Sequence, residues 1–462
     1  MAQKSKSLVL NQRSNPIQLE LPFEGRGEAP RAERSEQAHP MASEDERSGT
    51  EHLMELVVDG ETVKRALKRV VQNKGGPGID GMRVEDLEDH LREEWTRIRE
   101  ELLAGTYRPQ PVRRHTIDKE GGGKRELGIP TVLDRFIQQA VLQVLQPIYD
   151  KTFSEHSYGF RPGRDAQGAV RAAQRYIQEG RRIVVDVDLE KFFDRVNHDM
   201  LMGRLARTIG DRRMLALIRR FLSSGMMTDG VVMERHEGTP QGGPLSPMMA
   251  NVFLDEIDKE LERRGHAFVR FADDMRVFVR SKKAGDRVMR SLVKLFGKLR
   301  LRVNKEKSAV DRVWNRPFLG FGFWVAPGKR IRMRVSRRSL DKMKRRVRQI
   351  TRRSGGRSMV RVTCELRRYL LGWKGYFRLA DTPGVFRVLD QWIRHRLRAI
   401  QLKQWKRGRT VYRELHARGL SQHAAAKVAA NTRRWWRNSA MAINIALPNS
   451  YFESLGVPRL AP

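Results

Sequence analysis

Apolar and polar residues alternate between positions 183 and 189, with Val184 as the exception. The odd-numbered residues are all apolar, whereas the even positions are Val184, Asp186 and Asp188. Alternation over seven residues predicts a β-strand with these two sets on opposite faces. Asp188 would then lie at the end of the strand, on the face that also carries Asp186.

A second strand signal surrounds the tetrapeptide Phe271-Ala-Asp-Asp274. The apolar runs 267–269 and 277–279 flank it, and two such runs joined by a short segment predict a β-hairpin. The two carboxylates at its tip would repel each other, and a divalent metal ion would be their natural partner. The plainer alternative is a solvated turn, which is what most Asp-Asp pairs form.

Helical periodicity fills much of the remaining chain, and beyond residue 330 almost every segment is predicted to be helical. A short hairpin is predicted between Phe318 and Val325. The pattern indicates an α+β fold, in which an antiparallel sheet with helices on one face precedes an all-helical region. The main helical segments lie near residues 53–103, 133–148, 199–209, 247–263, 287–299, 336–350 and 389–400.

Composition adds a strong charge bias to this picture. The 462 residues are 39% hydrophobic, carry a net charge of +37 and include a single cysteine, Cys364. Such an excess of positive charge favours a polyanionic partner, with nucleic acid ahead of a membrane surface. No apolar run is long enough to span a bilayer and no signal peptide is evident, so we expect a cytoplasmic protein.

The positive charge is concentrated toward the C-terminus. Residues 329–462 hold 34 Lys and Arg against 6 Asp and Glu, a net charge of +28. This asymmetry favours a region that grips a polyanion beside a more balanced catalytic body.

Five segments, taken together, resemble one family. They are Leu127–Arg135, Ser157–Gly163, Ile183–His198, Gly238–Pro247 and Phe271–Asp274. In this order they resemble the motifs of the reverse transcriptase/maturases that group II introns encode, with Phe271 in place of the usual tyrosine. The resemblance implies a right-hand polymerase with fingers and palm, followed by a helical thumb and maturase-specific domain.

The resemblance also implies roles for individual residues. Asp188, Asp273 and Asp274 match the metal ligands, with the carbonyl of Leu189 as a further ligand, and Asp186 would be supporting. Two Mg²⁺ ions are the implied cofactors. The implied nucleotide-binding residues are Lys124, Arg125, Phe193 and Gln241, of which Phe193 would face the sugar. The plainer alternative for Phe193 is a position in the core, and Lys307 could contact either the leaving pyrophosphate or the template.

The basic C-terminal region resembles the part of the family that grips intron RNA. The helix predicted over 336–349 lacks acidic counterparts, which favours phosphate contact over a merely solvated face. The residues expected to bind nucleic acid are Arg345, Arg346, Arg348, Lys374 and Arg378. The His-Asn-His endonuclease domain of some relatives is expected to be absent.

The sequence suggests five segments. We expect a disordered tail, an N-terminal extension with fingers, a palm, a thumb/maturase domain and a short basic nucleic-acid-binding segment, with the reverse transcriptase domain spanning about 95–328. Their predicted bounds are 1–50, 51–180, 181–328, 329–410 and 411–462.

Three functions follow as hypotheses. The first is an RNA-directed DNA polymerase that also assists splicing of its intron and supports retromobility by target-primed reverse transcription. Its partners would be intron RNA, an RNA template with a DNA primer or target, and dNTPs, in the cytoplasm of a bacterial cell near the nucleoid. The alternatives are a maturase that only assists splicing, and a reverse transcriptase of the retron or defence type.

Overall fold

The computed structural model describes residues 49–118, 124–228, 231–233, 237–239, 242–431, 434–440 and 443–461. The chain forms two compact units that divide between Arg316 and Pro317. The predicted N-terminal tail falls almost wholly on residues 1–48, which lie outside the described residues. The boundaries that the sequence suggests for the five segments stay predictions.

The first unit contains helices α1 to α9 and strands β1 to β8. The helices are α1 (Leu53–Val57), α2 (Gly60–Asn73), α3 (Leu87–Leu103), α4 (Val132–Asp150), α5 (Ala166–Gln178), α6 (His198–Thr208), α7 (Arg212–Ser223), α8 (Ser246–Arg263) and α9 (Lys282–Lys298). The strands are β1 (Val112–Asp118), β2 (Lys124–Ile129), β3 (Ile183–Val187), β4 (Met226–Thr228), β5 (Val231–Met233), β6 (Ala267–Phe271), β7 (Asp274–Val279) and β8 (Ala309–Arg312).

Two four-stranded sheets organise this unit within its described residues. One has the order β2-β1-β4-β5, and the other has the order β6-β7-β3-β8. Every pair in the second sheet is antiparallel, as the sequence predicts. Helix α9 packs on the sheet face that carries Val185, where Gly285 allows close approach to Ile183 and Val310.

The alternation in β3 has the predicted outcome. Val185 and Val187 are buried in the main apolar core, which also includes Phe268, Met275 and Val277 of the neighbouring strands. Asp186 and Asp188 are on the opposite face and remain partly exposed. Burial of the valine face stabilises the sheet and so fixes where the carboxylates point.

The second unit begins with a hairpin and continues as helices. Strand β9 (Phe321–Val325) pairs with β10 (Ile331–Val335) in antiparallel register. The sequence prediction of a hairpin confined to 318–325 is therefore wrong, because β10 provides the second strand. Alternating burial of Ile331, Met333 and Val335 marks it, and their alternation with arginines was the signal available in the sequence.

Helices form the rest of this unit in the described residues. They are α10 (Arg337–Ile350), α11 (Met359–Tyr376), α12 (Pro383–Trp405), α13 (Gly408–Ala417), α14 (Gln422–Ala430), α15 (Trp435–Asn438), α16 (Ile443–Ala446) and α17 (Asn449–Ser454). Nowhere in the described ranges is a helix long and apolar enough to cross a membrane.

Candidate active site

The Asp pair lies at the tip of a β-hairpin, as its flanking apolar runs predict. Phe271, the last residue of β6, pairs with Asp274, the first residue of β7, so Ala272 and Asp273 form the turn. Ala272 has a φ of 57°, in the left-handed region that alanine rarely adopts. The surrounding residues must hold this turn in place.

A buried arginine supplies much of that support. The guanidinium of Arg270 donates to the Asp258 carboxylate and to the carbonyl of Ala272, the latter at 3.0 Å. It also donates to the side-chain oxygen of Asn251 at 2.8 Å. Asn251 in turn donates to the carbonyl of Gly159 at 2.9 Å. The hydrogen-bond network therefore joins the turn to the segment around Gly159.

The strand register brings the upstream carboxylate to the Asp pair. Val187 of β3 pairs with Met275 of β7, so Asp188, the next residue, lies opposite Asp274. Phe271 also pairs with Asp274, and residues directly opposite each other share a sheet face. Phe271, Asp274 and Asp188 thus form a row across three adjacent strands.

The carboxylates of this row are electrostatically crowded. Burial raises the pKa of Asp274 to about 7; Arg276 opposes that shift, and the negative charges of Asp186 and Asp273 add to it. Carboxylates held this closely favour the binding of a cation. The donor set consists of carboxylate oxygens, the ligands that hard cations such as magnesium prefer.

The carbonyl of Leu189 is directed toward β7, the strand that carries Asp274. Leu189 forms an isolated antiparallel bridge with Val303, and the hydrogen bonds flanking it run from Asn304 to Asp188 and from Glu190 to Arg302. In such a non-hydrogen-bonded pair, the peptide groups of the central residue point away from its partner. The Leu189 carbonyl is therefore directed to the edge of β3 on which β7 lies.

Two arginines that the sequence analysis missed connect the carboxylates. Arg276 lies 3.2 Å from Asp186 and 3.5 Å from Asp274, and it donates to the carbonyl of Arg316 at 2.8 Å. The Arg316 guanidinium lies 2.9 Å from Asp186 and donates to the carbonyl of Lys307. Asp186 therefore holds two arginines, which agrees with a supporting position. Arg276 follows Asp274 by two residues in a strand, and this spacing could have predicted that the two side chains lie on the same face.

Lys307 lies beside the third carboxylate. Its ammonium nitrogen is 3.8 Å from an Asp188 carboxylate oxygen, and the lysine side chain is mostly buried. The structure thus places Lys307 next to the carboxylates. Its two predicted contacts, with the leaving pyrophosphate or with the template, involve molecules that are bound only during the reaction.

These carboxylates fit a metal site that substrate completes. Among the described residues, no group of three or more His, Cys, Asp and Glu side chains forms a ready metal site. Magnesium commonly binds through one or two carboxylates together with substrate phosphates and water. The row of Asp188 and Asp274, with Asp273 at the turn, is suited to that mode.

Phe193 lies in a short 3₁₀ turn, Phe192–Asp194, that follows β3. Its ring is half-buried and meets Phe192 edge-on, with centroids 5.1 Å apart. The amide of Thr239 donates to the Phe193 carbonyl at 2.7 Å. The Gly/Pro loop that begins at Gly238 therefore starts against this turn, although the ring also packs on the core.

The same loop approaches the β1–β2 hairpin. Gly242 has a φ of 135°, and a Cβ added there would lie 2.6 Å from the carbonyl oxygen of Gly128. Only glycine fits so close to another backbone. Gln241, expected in the nucleotide pocket, lies outside the described residues.

The two basic residues predicted to meet the triphosphate are in β2. Lys124 is exposed and pairs across the hairpin with Asp118. Arg125 pairs with Ile117, while its side chain falls outside the described part of the structure. The structure therefore places both residues on β2.

The predicted nucleic-acid-binding residues lie on two helices of the second unit. Arg345, Arg346 and Arg348 are exposed on α10, and Arg346 is 3.3 Å from Glu365. Lys374 of α11 donates to the carbonyl of Arg459 at 2.8 Å, so part of its donor capacity is used within the protein. Arg378, just after α11, is exposed.

The last residues of the chain are part of the helical core. Phe452, Val457 and Leu460 are buried, as is Arg394 of α12. Arg394 donates to the carbonyl of Val457 at 3.3 Å, and Asp390 accepts from the amide of Leu460 at 3.0 Å. A structural role for these residues thus accompanies the predicted binding role of 411–462.

Comparison with known proteins finds two matched regions in this chain. Residues 117–323 match the model of the reverse transcriptase (RNA-dependent DNA polymerase) family. Residues 340–419 match the maturase-specific domain of group II introns. The chain belongs to the group II intron-encoded reverse transcriptase/maturase family.

Individual relatives show how far the similarity extends. Protein YkfC of Escherichia coli strain K12 is 32% identical over 313 residues, covering 59% of this chain and 82% of that protein. The group II intron-encoded protein LtrA of Lactococcus lactis subsp. cremoris is 38% identical over 195 residues, covering 42% of this chain and 32% of LtrA. An uncharacterized 91 kDa protein in the cob intron of Schizosaccharomyces pombe is 34% identical over 191 residues, covering 41% of this chain and 24% of that protein. The chain thus spans about a third or less of the two intron-associated relatives.

Membership of this reverse transcriptase/maturase family has direct chemical consequences. The enzyme class is RNA-directed DNA polymerase, since the carboxylate row lies within the matched reverse transcriptase domain. The family depends on divalent metal ions and acts on nucleic acid, and the maturase-specific domain implies intron RNA.

Proposed function

We propose that this protein copies RNA into DNA at the row formed by Asp188 and Asp274, and that it also binds its intron RNA to promote splicing. The observation that carries the polymerase proposal is the register of β3 and β7, which sets Asp188 opposite Asp274 beside the Asp273 turn. A protein that only bound RNA would have no need of repelling carboxylates on one open face.

The proposed metal ligands are Asp188, Asp273, Asp274 and the Leu189 carbonyl, and the proposed cofactor is a pair of Mg²⁺ ions. When bound, two such ions activate the primer 3′-hydroxyl and neutralise the charge that develops on the triphosphate. The protein supplies the fixed positions. Arg276 and Asp186 orient Asp274, and the Arg270 network holds the turn.

The proposed nucleotide pocket lies between the turn at Phe193 and the β1–β2 hairpin. The Gly/Pro loop supports this placement, because Thr239 donates to the Phe193 carbonyl and Gly242 lies close to the Gly128 carbonyl. Lys124 and Arg125 would meet the triphosphate, since arginine binds phosphate with two parallel hydrogen bonds. Gln241 would line the templating side.

The proposed RNA contacts are on the helical unit. The exposed arginines of α10 support them, together with the net charge of +28 over residues 329–462. Retromobility by target-primed reverse transcription would use the same polymerase site with a DNA primer at the target. The splicing-only alternative keeps the RNA contacts but makes no use of the carboxylates.

Primer extension on an RNA template tests the polymerase proposal. Magnesium-dependent extension by the wild type should be abolished in the double variant Asp273→Ala, Asp274→Ala and retained in the matched surface control Asp286→Ala, whose side chain is exposed on α9. Splicing of the intron RNA in the presence of the double variant should persist. Extension by the double variant, or none by the wild type, would contradict the proposal.

A further inference from the structure

Phe160 combines three unusual properties beside the proposed active site. Its φ is 58°, a conformation that costs a bulky residue of this kind free energy. The residue is 44% exposed, although phenylalanine is usually buried. Its ring centroid lies 6.4 Å from that of Phe271, with the rings tilted by 43°. Neither packing nor relief of strain accounts for an exposed phenylalanine at this position.

The backbone on both sides of Phe160 is firmly held. A Cβ added to Gly159 would collide with the backbone of Ala272, and the Gly159 carbonyl accepts from buried Asn251. Arg161, itself 7% exposed, donates to the carbonyl of Ser154 at 2.6 Å and pairs with Asp150 at 2.7 Å. The strain at Phe160 is therefore maintained by its neighbours.

The register places Phe160 on the side of the carboxylates away from the proposed nucleotide pocket. The segment before it runs along the outer edge of β6, where the amide of Tyr158 donates to the carbonyl of Arg270 at 2.9 Å. Across the sheet face the order is then Phe160 with Phe271, followed by Asp274 and Asp188. The turn carrying Phe193 follows β3, beyond Asp188.

We propose that Phe160 is a binding residue for the 3′-terminal nucleotide of the primer in the primer–template duplex. This inference rests on the proposed polymerase function. A polymerase must hold the incoming nucleotide and the primer terminus on opposite sides of the reacting centre, and Phe193 takes the first side. An apolar ring with no hydrogen-bonding group suits a contact that every primer end must make, because packing against the deoxyribose and the edge of the terminal base does not depend on which base is present.

Binding without extension separates this proposal from the polymerase proposal. The probe is an RNA template annealed to a DNA primer that carries 5-iodo-2′-deoxyuridine at its 3′ end, in the absence of dNTPs. Irradiation of the full-length protein should cross-link Phe160 to this nucleotide. The same label six nucleotides upstream in the primer should not cross-link to it. A cross-link from the templating base instead of the primer end would overturn the proposal, even if extension is normal.

Affinity gives the second measurement. Phe160→Ala should raise the Kd for the recessed primer–template roughly ten-fold, because apolar area that the primer end covers is lost with the ring. Phe160→Tyr should restore it, and Leu56→Ala, which removes another exposed apolar side chain of the same unit, should leave it unchanged. An unchanged Kd in Phe160→Ala would overturn the proposal, as would a rise in the KM for dNTP with primer affinity intact.

A structural role would give a different result. The thermal unfolding midpoint of Phe160→Ala should stay close to that of the wild type, because both residues carry a Cβ in the left-handed conformation and little apolar area is removed from the core. A fall in the midpoint that accounts for the weaker binding would overturn the proposal. Failure of the wild type to extend primers, with the Phe160 cross-link present, would contradict only the polymerase function.

Discussion

Arg270 and Asp258 form an ion pair from which solvent is fully excluded. Their side chains are 0% exposed, and the closest nitrogen–oxygen distance is 2.5 Å. The same guanidinium holds the carbonyl of Ala272 in the Asp turn. A charged residue within the buried strand β6 therefore links the stability of the unit to the geometry of the proposed active site.

Removing one partner of this pair should be strongly destabilising. Arg270→Met leaves the Asp258 carboxylate buried without its cation, which should lower the free energy of unfolding by about 3–5 kcal/mol. Denaturant unfolding measures the change. Arg263→Met, which removes an exposed pair with Glu260, is the control and should cost far less. Equal losses in the two variants would contradict the assignment.

Arg276 should affect metal binding without contacting substrate. Arg276→Leu removes the cation between Asp186 and Asp274, and changes of this kind next to metal ligands typically cost about 10- to 100-fold in metal affinity or activity. The measurement is Mn²⁺ binding by electron paramagnetic resonance, alongside the metal dependence of primer extension. Arg280→Leu, an exposed residue just after β7, should behave as the wild type. Wild-type Mn²⁺ affinity in Arg276→Leu would refute this role.

The sequence predicts the strands of this site better than it predicts the arginines that hold the turn and the carboxylates in place. Alternation in 183–189 and the apolar runs around Phe271–Asp274 are local signals, and the structure confirms both. The buried positions of Arg270 and Arg276 could not be predicted from the sequence, because a charged residue in a strand normally indicates the solvent face. Their roles depend on partners such as Asp258 and Asp186, which the tertiary fold brings together.

The position of Phe160 was equally hidden. The segment Ser157–Gly163 carries the family resemblance, but its pairing with β6 is a parallel bridge between distant residues, Ser157 and Arg270. No local pattern encodes such a contact. The positive φ at a phenylalanine also runs against residue preference, so only the structure shows it.

Phe193 should control the choice of sugar if its ring faces the nucleotide. Phe193→Val should reduce the preference for dNTP over rNTP, because a smaller side chain leaves room for a 2′-hydroxyl. Phe193→Tyr, which keeps the ring, is the control and should retain the preference. The measurement is the ratio of kcat/KM for the two nucleotides. An unchanged ratio in Phe193→Val would place the ring in the core alone, against Phe192.

The arginines of α10 should contribute charge to RNA binding. Replacing Arg345, Arg346 and Arg348 with Gln should weaken binding of the intron RNA and reduce the slope of log K against log salt by about 0.7–0.9 for each phosphate that is no longer neutralised. Filter binding over a salt series measures both quantities, and a parallel splicing assay should show reduced activity.

The control for that variant removes the same charge elsewhere. Gln at Arg290, Lys294 and Lys298 changes exposed residues of α9, a helix on the sheet face opposite the carboxylate row. This control should leave the salt slope close to that of the wild type. If both triple variants lower the slope equally, the binding is a general effect of net charge and α10 has no special role.

Asp134 should make the stability of the first unit depend on pH. Its carboxylate is 1% exposed and accepts hydrogen bonds from Tyr107 at 2.9 Å and Thr131 at 2.7 Å. Burial nevertheless raises the pKa of Asp134 from 3.8 to about 6. Between these values the folded state binds more protons than the unfolded state, so this residue's contribution to the free energy of unfolding falls as pH rises from about 4 to 6.

Between about pH 4 and pH 6, the contribution of Asp134 to the free energy of unfolding should fall by about 2–3 kcal/mol, since each pKa unit corresponds to about 1.4 kcal/mol. Above about pH 6 this contribution should not change further. Denaturant unfolding at a series of pH values measures it as the difference between the wild type and Asp134→Asn, which cancels other groups such as Asp258. Asp89→Asn removes an exposed carboxylate of α3 and should leave the profile unchanged. If the free energy of unfolding varies with pH in the same way in the wild type and in Asp134→Asn, the prediction is wrong. The buried carboxylate would then be ionised across this pH range, and its hydrogen bonds would offset the cost of burial.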